Sequence, residues 1–159
     1  MLSFKKIIYS TFFLISACGF SPLYTNHSSA QLAGQISIQE PQTQNEFVFY
    51  SHLIDRFNES GDKYTLNYTV SASQEDKALN LNGIVHRVEI SASVLFSLID
   101  KETGLELFSD KEEMYLSYSN FGSTAAVLNA ERTKNKEIMV LLADKVADRI
   151  SLTIVEKGS

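Results

Sequence analysis

The chain has 159 residues, with 14 basic and 19 acidic side chains and a formal charge of −5. This length allows one domain with a modest core, and two prolines and seven glycines exclude a fibrous or low-complexity chain. The acidic balance excludes a general nucleic-acid binder, which needs a net basic surface for phosphates, and a lone cysteine excludes an internal disulfide.

The N-terminus reads as an export signal. Lys5-Lys6 is a short positive region, and Ile7 to Ile15 is a mostly apolar run of nine residues. A helix needs about 20 residues to cross the hydrocarbon layer, so this run has the proportions of a secretory signal. Small Ser16 and Ala17 follow an aliphatic residue and lead directly into Cys18. Ile15-Ser16-Ala17-Cys18 resembles the bacterial lipobox, whose thiol receives diacylglycerol before the chain is cut ahead of the cysteine. On this reading residues 1–17 are a lipoprotein signal peptide cleaved between Ala17 and Cys18. Residues 18–34 are then a lipidated N-terminus and tether. One acyl chain anchors only marginally at about 0.8 kcal/mol per buried CH₂, and two or three anchor stably. Cleavage removes Lys5 and Lys6 and no acid, leaving 12 basic and 19 acidic residues, or −7. Gly19 stands where aspartate commonly signals inner-membrane retention, so the resemblance favours the outer membrane.

Cys18-Gly19-Phe20-Ser21-Pro22-Leu23-Tyr24 is similar to the mature start of the LPS-assembly lipoprotein LptE family, one large branch of which typically opens Cys-Gly-Phe-x-Pro-Leu-Tyr. Pro22 keeps Ser21 extended, which frees Phe20, Leu23 and Tyr24 to pack on the body or lie near a bilayer interface.

Residues 35–156 read as one domain. Gln35 to Gln39 alternates polar and apolar residues and predicts a short strand. Asn45 is a fitting N-cap for a helix over 46–58, with Phe47, Tyr50, Leu53 or Ile54, and Phe57 on its apolar face. His52, Asp55 and Arg56 are expected to face outward, and Gly61 to stop the helix. Tyr64 to Ala72 alternates strictly, with Tyr64, Leu66, Tyr68, Val70 and Ala72 on one face, and predicts a strand. Gln74-Glu75-Asp76-Lys77 is expected to be a charged loop, and 80–83 a bend. Val88, Ile90, Ala92, Val94, Phe96 and Leu98 give the cleanest alternation, with Arg87, Glu89, Ser91, Ser93 and Ser97 opposite and Leu95 the one apolar exception there. Asp100 to Gly104 predicts a hairpin turn. A third long strand follows over 106–118, with an apparent change of apolar parity near 109–113 that suggests a bulge. Ser123 or Thr124 then caps a helix to about Ile154, with Ile138, Leu141, Leu142, Val146 and Ile150 as its stripe. Its 131–137 stretch is polar on all sides, so it is either solvated or touches a partner.

The expected architecture is an α+β two-layer sandwich: a sheet of about four strands with two helices packed on one face. The LptE family has this kind of architecture. Tyr118, Asn120-Phe121, Ala130-Glu131-Arg132 and Leu142-Ala143-Asp144 resemble its C-terminal strand-to-helix pattern. Gly122-Ser123-Thr124 departs from its alanine-rich helix start.

The chain has no nucleophile elbow, phosphate loop or dinucleotide fingerprint. His27, His52 and His86 lack zinc-ligand spacing. Adjacent Glu112 and Glu113 point to opposite faces of a strand, unlike a shared acid–base pair. These readings predict no enzyme, no metal and no cofactor. The resemblance implies an outer-membrane lipoprotein, lipid-anchored through Cys18 at the periplasmic face. It would bind and plug an LptD-type β-barrel while lipopolysaccharide is assembled at the cell surface. Lipopolysaccharide is anionic, so Arg87, Lys134 and Lys136 are candidate contacts. The same lipobox and body would also serve an accessory of a phospholipid or ABC-type lipid transport system.

Overall fold

The computed structural model describes residues 32, 34–58, 61–79 and 85–158. Cys18, the cleavage pair, Phe20, Pro22, Leu23 and Tyr24 lie outside the described residues, as do His27 and the 80–83 bend.

The elements run β1 (Ile36–Ile38), α1 (Gln44–Phe57), β2 (Tyr64–Leu79), β3 (Val85–Asp100), β4 (Glu106–Ser119) and α2 (Thr124–Gly158). They form one four-stranded sheet in the order β1-β2-β3-β4. Strand β1 lies parallel to β2, and the two later pairings are antiparallel. Parallel neighbours need a crossover connection, and α1 supplies it. Both helices cover one face, α1 toward β1 and β2, and α2 toward β3 and β4. This is the expected two-layer α+β sandwich.

Helix α1 begins on Thr43 rather than on the expected Asn45. The Thr43 hydroxyl accepts the Glu46 N–H at 3.2 Å, and the Glu46 carboxylate accepts the Thr43 N–H at 3.1 Å. This reciprocal capping box satisfies two end donors that Asn45, already inside the first turn, cannot serve. The core face also differs from the expected one. Phe49, Leu53 and Phe57 are fully buried, whereas Phe47 is 60% exposed. The apolar residues of this helix fit two adjacent faces, and contact with the sheet selects one. The Phe49 ring packs on Tyr68 with centroids 5.0 Å apart.

The helix stops at Asn58, which takes φ +62° and donates its N–H to the Ile54 carbonyl at 2.8 Å, and not at the expected Gly61. Gly61 has a different role. It is buried, and a Cβ there would fall on the backbone of Gln35 and Ile36. Only glycine permits this close approach. The same Gln35 carbonyl accepts the Tyr64 N–H at 2.9 Å, which seats β1 on β2.

The inner face of β3 is as the alternation predicted: Val88, Ile90, Ala92, Val94, Phe96 and Leu98 are all buried. Opposite them lie Ile138, Met139, Leu142, Ala143, Val146, Ala147 and Ile150 of α2, each with no exposed surface. The stripe is wider than expected, and Leu141 lies at its half-buried margin. Ser123 is the cap, its hydroxyl accepting the Ala126 N–H at 3.3 Å.

Strand β2 continues past Ala72 through the stretch expected to be a loop. Gln74 pairs with Ile90 and Asp76 with Val88 before the register slips. Both faces of β2 are exposed there, so burial leaves no alternation to read; Lys77 bridges Glu75 at 2.7 Å and Glu89 at 3.4 Å. The β3–β4 turn is as expected. The Asp100 carboxylate accepts the N–H groups of Glu102 and Thr103 at 3.0 and 2.9 Å, and Gly104 takes φ +68°.

The parity change expected near 109–113 is absent. Phe108, Asp110, Glu112, Met114, Leu116 and Tyr118 all face the helix layer, and the slip lies at Leu107. Asp110 and Glu112 break the apolar pattern because α2 meets them with cations: Arg149 Nε to Asp110 at 2.7 Å and Lys145 Nζ to Glu112 at 3.1 Å. The Asp110 carboxyl lies below the usual carboxylate range, held first by the Lys111 N–H and then by Arg149.

Candidate functional site

Two surfaces stand out among the described residues. The first is the sheet face away from the helices. Odd-numbered positions of β2, β3 and β4 point there, and the register aligns them into rows: Asn67, Ser97 and Ser109; Ser71, Ser93 and Glu113; Ser73, Ser91 and Tyr115. Short hydroxyl side chains therefore cover most of the centre. The Ser73 and Ser91 hydroxyls hydrogen-bond at 2.7 Å. Where serines meet the longer Glu113 and Tyr115, they leave a shallow cavity of about 200 Å³. The Tyr115 hydroxyl donates to Glu113 at 3.2 Å, and Lys111 pairs with the same carboxylate. Lys111 foremost, with Tyr115 assisting, holds Glu113 below the usual carboxylate range. Leu95 and Tyr115 are the large exposed groups of this face, at 57% and 60%.

The second surface is a cleft of about 560 Å³ on the helix side, between the first turns of α1, the 132–136 turn of α2 and the upper part of β2. Asn45 and Val48 border it from α1, Ala72 and Gln74 from β2, and Arg132 and Lys136 from α2. Below the cleft the helices are tied together. His52 Nε2 lies 3.1 Å from Asp144 Oδ1, and Arg56 Nη2 lies 2.7 Å from Asp148 Oδ1. His52 and Arg56, expected to face outward, thus face the second helix; Asp55 does point to solvent.

The three basic residues singled out from sequence do not converge. Arg87 is exposed at the start of β3 on the open face, opposite Ser119. Lys134 and Lys136 stand on α2, across the sheet. Lys134 Nζ is engaged by Glu137 at 2.6 Å, whereas Lys136 borders the cleft. Sequence reasoning missed Arg132, although its four-residue spacing from Lys136 places both on one helix face. The polar 131–137 stretch is partly docked: Glu131 accepts from the Gln74 side chain at 3.1 Å. No three His, Cys, Asp or Glu side chains are grouped to hold a metal among the described residues. No described helix is long and apolar enough to cross a membrane.

No protein-family model matches the sequence, and no curated protein matches it. Solved structures do. A lipoprotein candidate from Caulobacter crescentus superposes with a TM-score of 0.65 at 18% identity, covering 82% of this chain and 97% of its own. Rare lipoprotein B from Shewanella oneidensis gives 0.62 at 18% identity, covering 79% and 98%. Lipoprotein B from Nitrosomonas europaea gives 0.60 at 12% identity, covering 75% and 83%. The class defined by this layer order is an α+β sandwich found in lipoproteins. Within that class, the chain has the fold of rare lipoprotein B.

Proposed function

We propose that this chain is a non-enzymatic outer-membrane lipoprotein, held at the periplasmic face through lipidated Cys18. In this role it assists lipopolysaccharide assembly by seating in an LptD-type β-barrel translocon. The observation that carries the reading is the open sheet face, where short serine, threonine and asparagine side chains outnumber the larger Leu95, Lys111, Glu113 and Tyr115. The lumen of a transmembrane barrel is polar. Short hydroxyls can exchange hydrogen bonds with such a wall without burying an unpaired charge. The lipobox at Cys18, the Gly19–Tyr24 stretch and the fold shared with solved lipoproteins support the same reading. Arg87 is the cation of this face that forms no ion pair with a described residue, which favours it over Lys134 and Lys136 as the lipopolysaccharide contact in this proposal.

The test is co-purification through a C-terminal tag in the Gram-negative host. The barrel subunit is expected to come with the chain, and surface lipopolysaccharide to fall on depletion. If no barrel co-purifies and lipopolysaccharide still reaches the surface, the proposal fails. Palmitate labelling that persists in Cys18→Ser refutes the anchor separately.

A further inference from the structure

We propose that the cleft between α1, α2 and the upper edge of β2 captures an extended acidic peptide segment, which adds to the sheet as a strand beside Ala72 and Gln74. This inference does not depend on the barrel reading.

Strand β1 pairs only with Tyr64–Leu66 of the sixteen-residue β2. Even-numbered residues of β2 turn their backbone groups to that side. The Tyr64 N–H bonds the Gln35 carbonyl, the Leu66 carbonyl accepts from Gln39, and the Tyr68 N–H bonds the Gln39 side chain. The alternation continues without a register slip to Asp76. Ala72 and Gln74 therefore direct N–H and C=O groups away from β3, and no described strand receives them.

Natural edges are normally blunted by charge, proline or a bulge. Strand β4 obeys this rule, with Asp110, Lys111, Glu112 and Glu113 in succession. The Val70–Gln74 stretch has none of these devices. Ala72 occupies an inward position yet is exposed, because it lies at the cleft where α1 only begins.

Charge selects the occupant. The charged side chains bordering the cleft are Arg132 and Lys136, both positive in a chain of net charge −5. Neither forms an ion pair with a described residue. Four residues apart on a helix, they are separated by roughly 6 Å along the axis. Alternate side chains of an added strand lie roughly 6.7 Å apart. Two carboxylates at positions i and i+2 of an extended segment therefore have a spacing close to that of the two cations, while its backbone pairs with Ala72 and Gln74.

The test uses the purified full chain, ¹⁵N-labelled, titrated with a capped nonapeptide alternating threonine and glutamate. A threonine–lysine peptide is the control. The Ala72 and Gln74 amides are expected to gain roughly tenfold or more protection from hydrogen exchange. The double substitution Arg132→Glu, Lys136→Glu, on exposed helix positions, should weaken the acidic peptide by tenfold or more, roughly, and admit the basic one. Ala72→Pro, which deletes an outward N–H, should abolish binding. Equal binding of both peptides, absence of protection at Ala72 and Gln74, or protection along β4 instead would overturn the proposal.

Discussion

The direction of the β2 amides can be tested by two neighbouring proline substitutions. The N–H of Ser71 points toward β3, where Ser71 and Ser93 are register partners; that of Ala72 points off the sheet. Ser71→Pro removes a ladder bond and leaves the Ser93 carbonyl without its donor, a penalty of about 1–3 kcal/mol. Its ring also intrudes between paired strands, where proline is essentially not found. Together these put the destabilisation at about 3 kcal/mol or more. Ala72→Pro loses no ladder bond and pays only for adjusting φ from the strand value, about 1 kcal/mol. For a folded body of this size, 1 kcal/mol corresponds to roughly 4 °C in melting temperature. Thermal denaturation followed by circular dichroism should then show Ser71→Pro melting about 12 °C lower and Ala72→Pro within about 4 °C of the parent. Equal losses, or a larger loss for Ala72→Pro, would refute the assignment of the free edge and with it the proposed strand addition.

Further expectations follow from packing and charge. Leu142→Ala empties a fully buried site and should cost about 2–5 kcal/mol in urea denaturation. Leu152→Ala, at a position 60% exposed, should stay within about 0.5 kcal/mol, so similar midpoints for the two would contradict the helix orientation. Gly61→Ala drives a methyl into the Gln35–Ile36 backbone and is expected to lose more than about 4 kcal/mol; a parental melt would exclude the close approach. Asp110 has a lowered folded-state pKa, so it contributes stability that is complete above the unfolded carboxylate value of about 3.9 and lost as pH falls through the lower folded value. Asp110→Asn should therefore flatten the acid limb of the stability profile below about pH 4, and an unchanged limb would show that the Lys111 and Arg149 contacts do not act on folding.

What the sequence determined by itself is local and periodic. Val88 to Leu98 revealed its buried face because one side meets the core and the other meets water. The stripe Ile138 to Ile150 revealed α2 for the same reason, at helical spacing. Asp100 to Gly104 revealed the turn, because the aspartate bonds its own neighbouring amides. Of the two candidate surfaces, the serine positions of β3 were legible as a polar face.

Tertiary structure decided the choices that local pattern left open. Which stripe of α1 is buried depended on Phe49 meeting Tyr68, from an element 19 positions away. Asp110 and Glu112 read as a break in the strand until Arg149 and Lys145 arrived from α2 to pair with them. The upper part of β2 read as a loop because neither of its faces is covered, and only pairing with β3 holds it extended. The cleft itself depends on three elements that sequence spacing cannot juxtapose: Ala72 and Gln74 on one strand, Asn45 on one helix, and Arg132 with Lys136 on another. Periodicity records what each residue faces, core or water; it carries no record of a partner brought from a distant part of the chain.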